Sequence, residues 1–305
     1  MSRVIAIVGP TAIGKSAVAD LLAHQLGTSV ISADSMQVYR DMDIGTAKMA
    51  PGECLAPLLM VDVADFSVPY SAALFQSAAR NLIDEMLEAG KTAILCGGTG
   101  LYVRAALDEM RFPAGEAGSS VRDAYEAYAR EHGEEALYRL LQDRDPRSAA
   151  VIHPHNVRRV LRALEMCDEG TSYADQKQGF SQYRPHYDAV QYGLTGDRRR
   201  LYDRIDRRVD EMIARGLIEE VHRLVDKGLG DALTSRQAIG YKEIISYLDG
   251  AVSLEEATDL IKMRTRRYAK RQLSWFRRDP RVQWIDCDEM DVAEIVSLIR
   301  EREGV

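Results

Sequence analysis

No stretch of the 305-residue chain is apolar over a membrane-spanning length, and the N-terminus runs straight into a β-branched segment. Neither a spanning helix nor a signal peptide is therefore expected. Cysteine is scarce. Cys54, Cys96, Cys167 and Cys287 lie far apart and none forms a Cys-x-x-Cys pair, so a disulfide framework and a zinc site are both unsupported and a reduced cytoplasm is expected. The six histidines show no metal-ligand spacing, and there is no internal repeat or low-complexity tract. Apolar residues make up 46% of the chain, enough for a packed core of one large or two modest domains.

A net charge of −7 argues at first against a nucleic-acid partner, but its distribution argues for one. Residues 1–150 carry 13 Lys/Arg against 20 Asp/Glu, whereas residues 151–281 carry 25 against 20. The tail, 282–305, is acidic again. Such asymmetry is the electrostatic footprint of a nucleic-acid-binding lobe.

The strongest motif is Gly9-Pro10-Thr11-Ala12-Ile13-Gly14-Lys15-Ser16. An apolar, β-branched run, Val4 to Val8, precedes it. Residues 17–26, apolar at helical spacing, follow. A glycine-rich turn between strand and helix is the context of a P-loop. Loop N–H groups and the helix N-terminus favour an anion, Lys15 adds a full charge, and Ser16 offers a hydroxyl to Mg²⁺. The expected ligand is a polyphosphate, by default ATP.

Further strands are expected at 29–32, 58–62, 92–96, 187–194 and 282–285. Helices are expected at 72–89 (Ser71 as N-cap), 100–107, 121–132, 134–143, 146–151, 156–169, 197–215, 217–228, 235–248, 253–277 and 290–302. Residues 171–186 read as a loop. The Gly-, Ala- and Ser-rich 112–120 reads as a domain edge. This predicts a parallel α/β core with helices on both faces, formed by 1–112 and 187–305, and an inserted, mostly helical domain at 113–186.

Asp34 ends the second strand on the sheet edge where ligands bind. A carboxylate there accepts a proton from a nucleophile, ligates Mg²⁺, or caps a helix starting near Met36. Asp62 is a rival metal-binding carboxylate, read more simply as a strand-end residue. Thr99, after Gly97-Gly98, hydrogen-bonds a substrate, caps the helix at 100–107, or both. Two basic stretches stand out. Residues 198–208 hold six arginines against two aspartates, and 261–278 holds eight Lys/Arg and no acid, with Tyr268, Trp275 and Phe276 interleaved. That density suits a phosphate backbone and stacked bases better than a merely solvated face. Arg158-Arg159-Val160-Leu161-Arg162 is a smaller cluster.

Taken together, these stretches resemble the tRNA dimethylallyltransferase family. The P-loop, Ser32-Ala33-Asp34-Ser35-Met36-Gln37-Val38-Tyr39, Met42-Asp43-Ile44-Gly45-Thr46-Ala47-Lys48 and Gly97-Gly98-Thr99-Gly100-Leu101-Tyr102 carry the resemblance. So do Ile152-His153-Pro154, Arg158 to Glu165, Gln237-Ala238-Ile239-Gly240-Tyr241-Lys242-Glu243 and Arg267 to Phe276. The chain departs from the family pattern at Ile13, usually Ser; at 56–58, Ala-Pro-Leu, where histidine is common; and at Leu74, where Asp is common.

The resemblance implies a P-loop NTPase-like core and transfer of a dimethylallyl group from its diphosphate to N6 of the adenosine just 3′ of the anticodon. Gly9 to Ser16 would then cradle a lipid diphosphate rather than a nucleotide. Lys15, Ser16 and Mg²⁺ would stabilise the leaving pyrophosphate, Asp34 would take the proton, and Thr99 would help hold the adenine. Asp34, Ser35, Met36, Gln37, Thr99, Arg122, Arg158, Arg159, Val160, Leu161, Arg162 and Gln237 to Lys242 (Gln237, Ala238, Ile239, Gly240, Tyr241, Lys242) would grip tRNA. The inserted domain would clamp the anticodon stem-loop of an extruded base. A monomer is expected. The alternatives are a P-loop small-molecule kinase, which leaves the basic aromatic stretch without a role, and a non-catalytic RNA-binding protein, which leaves Lys15, Ser16 and Asp34 without one.

Overall fold

A computed structural model describes residues 3–50, 52–112 and 120–305. Most of the Gly-rich edge at 112–120 lies outside the described residues. The chain forms two compact units, Met1–Asp108 with Pro185–Val305, and Glu109–Arg184.

The first unit holds a six-stranded parallel sheet. Its strands are β1 (Val4–Val8), β2 (Val30–Ser32), β3 (Leu58–Leu59), β4 (Ala93–Gly97), β5 (Ala189–Thr195) and β6 (Val282–Asp286). The spatial order is β3-β2-β4-β1-β5-β6, with Ile5 of β1 paired to Ile94 on one side and Val190 on the other. β1 and β4 are buried throughout, as strands covered on both faces must be. Alternate residues of β1 feed two cores. Val4, Ala6 and Val8 pack with Phe75, Ala79 and Ile83 of α2 (Ala72–Glu88), and Ile5 and Ile7 with Val18 and Leu22 of α1 (Lys15–Gln25). The remaining helices of this unit are α3 (Gly100–Leu107), then α9 (Arg198–Ala214), α10 (Leu217–Asp226), α11 (Tyr241–Leu248), α12 (Leu254–Phe276) and α13 (Val292–Glu303).

Five helices form the second unit: α4 (Ser120–His132), α5 (Glu134–Arg144), α6 (Pro146–Val151), α7 (Val157–Asp168) and α8 (Tyr173–Phe180). They enclose a separate core that includes Leu137, Leu141, Val160, Leu161 and Leu164.

Ser71 caps α2 as expected, its side chain accepting from the Leu74 N–H at 3.2 Å. Four expectations change. The strand at 58–62 is cut to Leu58–Leu59, because Met60 and Asp62 take left-handed backbone (φ 62° and 56°) that ends the ladder. The helix at 235–248 is broken: a 3-10 turn at Ser235–Gln237 is followed by Gly240 at φ 99° before α11 begins. The segment read as a loop at 171–186 contains α8. No helix starts near Met36; residues 35–38 form turns.

All four cysteines are free thiols, and no helix among the described residues is long and apolar enough to cross a membrane.

Candidate functional site

The parallel sheet brings the ends of β1, β2 and β4 to one edge, so residues from 9, 34 and 97 onward meet there. Gly9 leaves β1 at φ 143°, and a Cβ on it would lie 2.7 Å from the Leu194 carbonyl oxygen of β5. Only glycine fits there. Ala12 (φ 62°) and Gly14 (φ 106°) complete the turn into α1. Ile13, the departure from the expected serine, is buried under the loop in the α1-side core. It anchors the loop from below and leaves the ligand side to backbone.

Lys15 folds over its own loop, its Nζ donating to the Pro10 carbonyl at 2.6 Å. Burial pulls its pKa down to about 8, with Cys96 and Asp34 opposing and Arg208 adding to the fall. Cys96 is a thiol at neutral pH, since burial pushes it up to about 11. Asp34 is therefore the counter-charge present.

The loop floors a cleft of about 300 Å³ lined by Thr11, Ala12, Gly14, Lys15, Ser16 and Ala17, with Asp34, Cys96, Gly97, Gly98 and Arg208. Gly9, Pro10 and Ile13 shape the loop without lining it. Arg208, from α9, makes no ion pair among the described residues, and burial lowers its pKa against the pull of Glu211. A half-buried cation with no ion-pair partner among the described residues fits a chamber built to receive an anion. Arg208 belonged to a basic run in the sequence, but only the face α9 turns inward sets it apart. Asp20 was also missed. Its buried carboxylate accepts from the Leu55 and Ala56 N–H groups at 3.0 Å and fixes the chamber's outer lip.

Asp34 stands at the head of this cleft. Its Oδ1 accepts from the Met36 N–H at 2.9 Å, the turn-capping role, while Oδ2 has no hydrogen-bond partner among the described residues. Thr99 does not line this cleft. It is the N-cap residue of α3 by position but makes no side-chain cap bond; its Oγ accepts from the Ser35 N–H at 3.0 Å instead. Asp62 is away from the cleft, held by Lys48 Nζ at 2.5 Å.

A second chamber, also about 300 Å³, shares Thr11, Ala12, Asp34, Thr46, Ala47 and Arg208 with the first. The two are arms of one passage that meet at Asp34. The second arm is walled by Ser35 and Met36, by Gln237, Ala238, Ile239, Gly240 and Lys242, by Ile205, Val209 and Met212 of α9, and by Ile261, Thr265, Tyr268 and Arg271 of α12. Burial pushes the Tyr268 phenol up to about 12, so it stays a neutral donor. The Arg271 guanidinium lies over the Tyr268 ring, 5.6 Å from its centroid.

The loop between the arms is held tightly. The buried Glu220 carboxylate accepts from the Asp43, Ile44 and Gly45 N–H groups (3.2, 2.8 and 3.2 Å) and from the Tyr241 hydroxyl at 2.6 Å. Gly45 must be glycine, since a Cβ there would meet the Tyr241 ring at 2.4 Å. Gln37 donates to the Thr46 carbonyl at 3.1 Å and accepts from Ser32 Oγ at 3.0 Å. The amide of Gln37 and the hydroxyl of Tyr241 thus shape the passage.

The basic stretches divide once folded. Arg264 pairs with Glu243, Arg266 with Asp206 (2.6 Å), Lys262 with Asp210 (2.6 Å) and Arg204 with Asp288 (3.1 Å). Arg267, Lys270, Arg271 and Arg199 make no ion pair among the described residues. In the second unit, Arg158, Arg159 and Arg162 lie on α7, with Arg162 also 3.3 Å from Glu165, and Arg122 is 3.2 Å from the same carboxylate. Val160 and Leu161 turn into the core of that unit, as helical spacing requires, so their side chains do not reach a partner.

As to the remaining departures, Leu58 lines the first chamber and Ala56 is buried beside it, while Leu74 is exposed on α2 and lines neither arm.

Mg²⁺ takes about six oxygen ligands and retains waters readily. The first arm offers the Ser16 hydroxyl and Asp34 Oδ2, which fits an ion held mainly by a diphosphate. No group of three or more His, Cys, Asp or Glu among the described residues could hold a metal alone.

The chain matches the family model "IPP transferase" over residues 37–279 and "Isopentenyl transferase" over 2–57. It is 50% identical to a tRNA dimethylallyltransferase of Geobacillus kaustophilus, over 94% of this chain and 91% of that one. Among solved structures it resembles a tRNA isopentenylpyrophosphate transferase from Bacillus halodurans (44% identity, TM-score 0.74, 100% and 96% of the two chains covered). It also resembles a eukaryotic dimethylallyltransferase described as acting on tRNA (28% identity, TM-score 0.80, 99% and 78% covered). None of these findings supports the kinase alternative.

Proposed function

The chain belongs to the tRNA dimethylallyltransferase family and is an enzyme of prenyl transfer to tRNA, and from this premise we propose that dimethylallyl diphosphate is the donor and N6 of the adenosine 3′ to the anticodon the acceptor. One observation carries the proposal: a cationic, P-loop-floored arm and a basic, partly apolar arm meet at a single carboxylate with one oxygen unengaged.

The donor's diphosphate lies on the N–H groups of the loop and the N-terminus of α1, between Lys15 and Arg208. Its prenyl carbon faces the junction. The adenine, taken out of its stack, enters by the second arm past Tyr268 and Ile239. As the bond from N6 to the prenyl carbon forms, the carbon–oxygen bond to diphosphate breaks. Asp34 Oδ2 takes the amine proton, and Lys15 and Arg208 hold the charge that develops on the leaving pyrophosphate. The Ser16 hydroxyl, together with the diphosphate, would hold Mg²⁺, which would supply further neutralisation of that charge. Thr99 steadies the Asp34–Ser35 corner through its bond to Ser35. Arg267, Lys270 and Arg271 of the first unit, and Arg122, Arg158, Arg159 and Arg162 of the second, meet the RNA backbone. The protein works as a cytoplasmic monomer.

The test is incubation with dimethylallyl diphosphate, Mg²⁺ and unmodified tRNA carrying an adenosine run in its anticodon loop, followed by nucleoside analysis. N6-(dimethylallyl)adenosine and pyrophosphate are expected in equal amounts. Folded protein that forms neither would overturn the assignment.

A further inference from the structure

The two arms must hold their substrates within reacting distance, and one side chain spans the parts that set that distance. Gln272 lies on α12, one turn beyond Tyr268 and next to Arg271, both of which line the acceptor arm. Its side chain is buried on the same helix face as Tyr268, whose phenol it meets. Oε1 accepts from the N–H of Thr11 in the P-loop at 2.8 Å. Nε2 donates to the carbonyl of Gly98 at 3.0 Å.

Gly98 adjoins Thr99, whose hydroxyl accepts from Ser35 beside Asp34. One amide therefore ties the donor cradle, the corner that carries the base and the helix that walls the acceptor arm. The surrounding sequence is shaped for this. A Cβ on Gly98 would lie 2.0 Å from Gln272 Nε2, and one on Gly100 would lie 2.1 Å from the Trp275 ring. Two of the glycines of Gly97-Gly98-Thr99-Gly100 thus admit the side chains of α12. Thr11 loses nothing as part of an anion cradle, because its N–H already has this acceptor and the loop beyond it supplies the donors.

We propose that Gln272 is a positioning residue for the transfer, fixing the P-loop and the Asp34 corner against α12 so that donor carbon and acceptor amine meet. It touches neither substrate; it acts through Thr11 and Gly98. This rests on the prenyl-transfer reading above. A misplacement of about 1 Å in such a site lowers a rate by about 100-fold.

The test compares Gln272→Met, which keeps the volume and removes both hydrogen bonds, with Gln272→Glu, which keeps the acceptor and removes the donor. Single-turnover transfer should fall by about 100-fold in the first and about 10-fold in the second. Affinity for tRNA, by filter binding, and for inorganic pyrophosphate, by calorimetry, should stay within about threefold of wild type. The wild-type arm separates the two claims: wild type that forms no product overturns the prenyl-transfer reading itself. With active wild type, three results overturn the role of Gln272. They are a Met variant within threefold of the wild-type rate, a rate loss accounted for by weakened binding of either ligand, and a lowered melting temperature with an unchanged rate per folded molecule. If the Met variant does not fold, the Glu variant decides by the same criteria.

Discussion

The two arms of the passage have the same volume and are built in opposite ways. Six residues of the donor arm come from one continuous stretch, Thr11 to Ala17 less the buried Ile13. Apart from Thr11 and Ala12, the acceptor arm is assembled from the 34–47 region, α9, the 237–242 turn and α12. The difference follows from what each must recognise. A diphosphate is small, charged and symmetric, so oriented N–H groups and two cations suffice. A base on a folded RNA is large and directional, so its seat needs surfaces that only distant elements supply.

Asp34 belongs to both arms, and removing it should have the largest effect. Asp34→Asn should lower single-turnover transfer by about 10³-fold, within the range general bases contribute, and leave both ligands bound. A near wild-type rate would take the base away from Asp34.

Arg208 borders both arms, and it tests whether its charge serves the donor alone. Arg208→Ala should weaken dimethylallyl diphosphate about 10- to 100-fold, from the loss of a charged hydrogen bond of about 1.5–3 kcal/mol. Its tRNA affinity should hold within about threefold. Equal weakening of both ligands, read by calorimetry and filter binding, would erase the distinction between the arms.

Acidity separates the arms less strongly. Lys15 is charged below its lowered pKa of about 8 and neutral above it. The donor diphosphate is ionised throughout, so donor affinity should be greatest below pH 8 and fall, by at most about tenfold per pH unit, above it. Binding titrations from pH 7 to 9.5 check the sign; affinity that rises with pH would contradict the place given to Lys15.

The smallest effect concerns the outer face of α12. Arg267→Ala should reduce the slope of log affinity against log salt for tRNA by about 1, with the transfer rate unchanged. Lys262→Ala should leave the slope as it is, because its charge is engaged by Asp210. Matching slopes for the two variants would show that ion pairing in the free protein does not select the RNA contacts.

The P-loop, the strand that carries it and Asp34 at a sheet edge were legible in the sequence. Local pattern determines each: a buried β-branched run, glycines at fixed spacing, a helix behind. The 237–242 block was recognisable as a stretch, but its conformation was not. Helical periodicity continues through Ala238 and Ile239, and the break at Gly240 comes from the packing of Tyr241 against Glu220 and Gly45. Thr99 and Gln37 were picked out as residues facing a substrate; their polar atoms are hydrogen-bonded within the chain, and Gln37 also lines the first chamber. Sequence position gives the sheet edge a side chain occupies, and hydrogen-bond partners across 64 residues, as for Thr99 and Ser35, are not local information. Arg208 had no signal apart from the basic run 198–208, and Gln272 none apart from the 267–276 stretch that carries the resemblance.

By itself, then, the sequence determined an anion cradle at Gly9–Ser16, a parallel α/β core around it and an excess of positive charge over residues 151–281. Each follows from residue type and short-range spacing. Only the tertiary structure decided which cations remain for ligands, that Asp34 stands where two chambers join, and that Gln272 ties both to α12. Those depend on which helix faces turn inward and which carboxylates lie within reach, and long-range packing sets both.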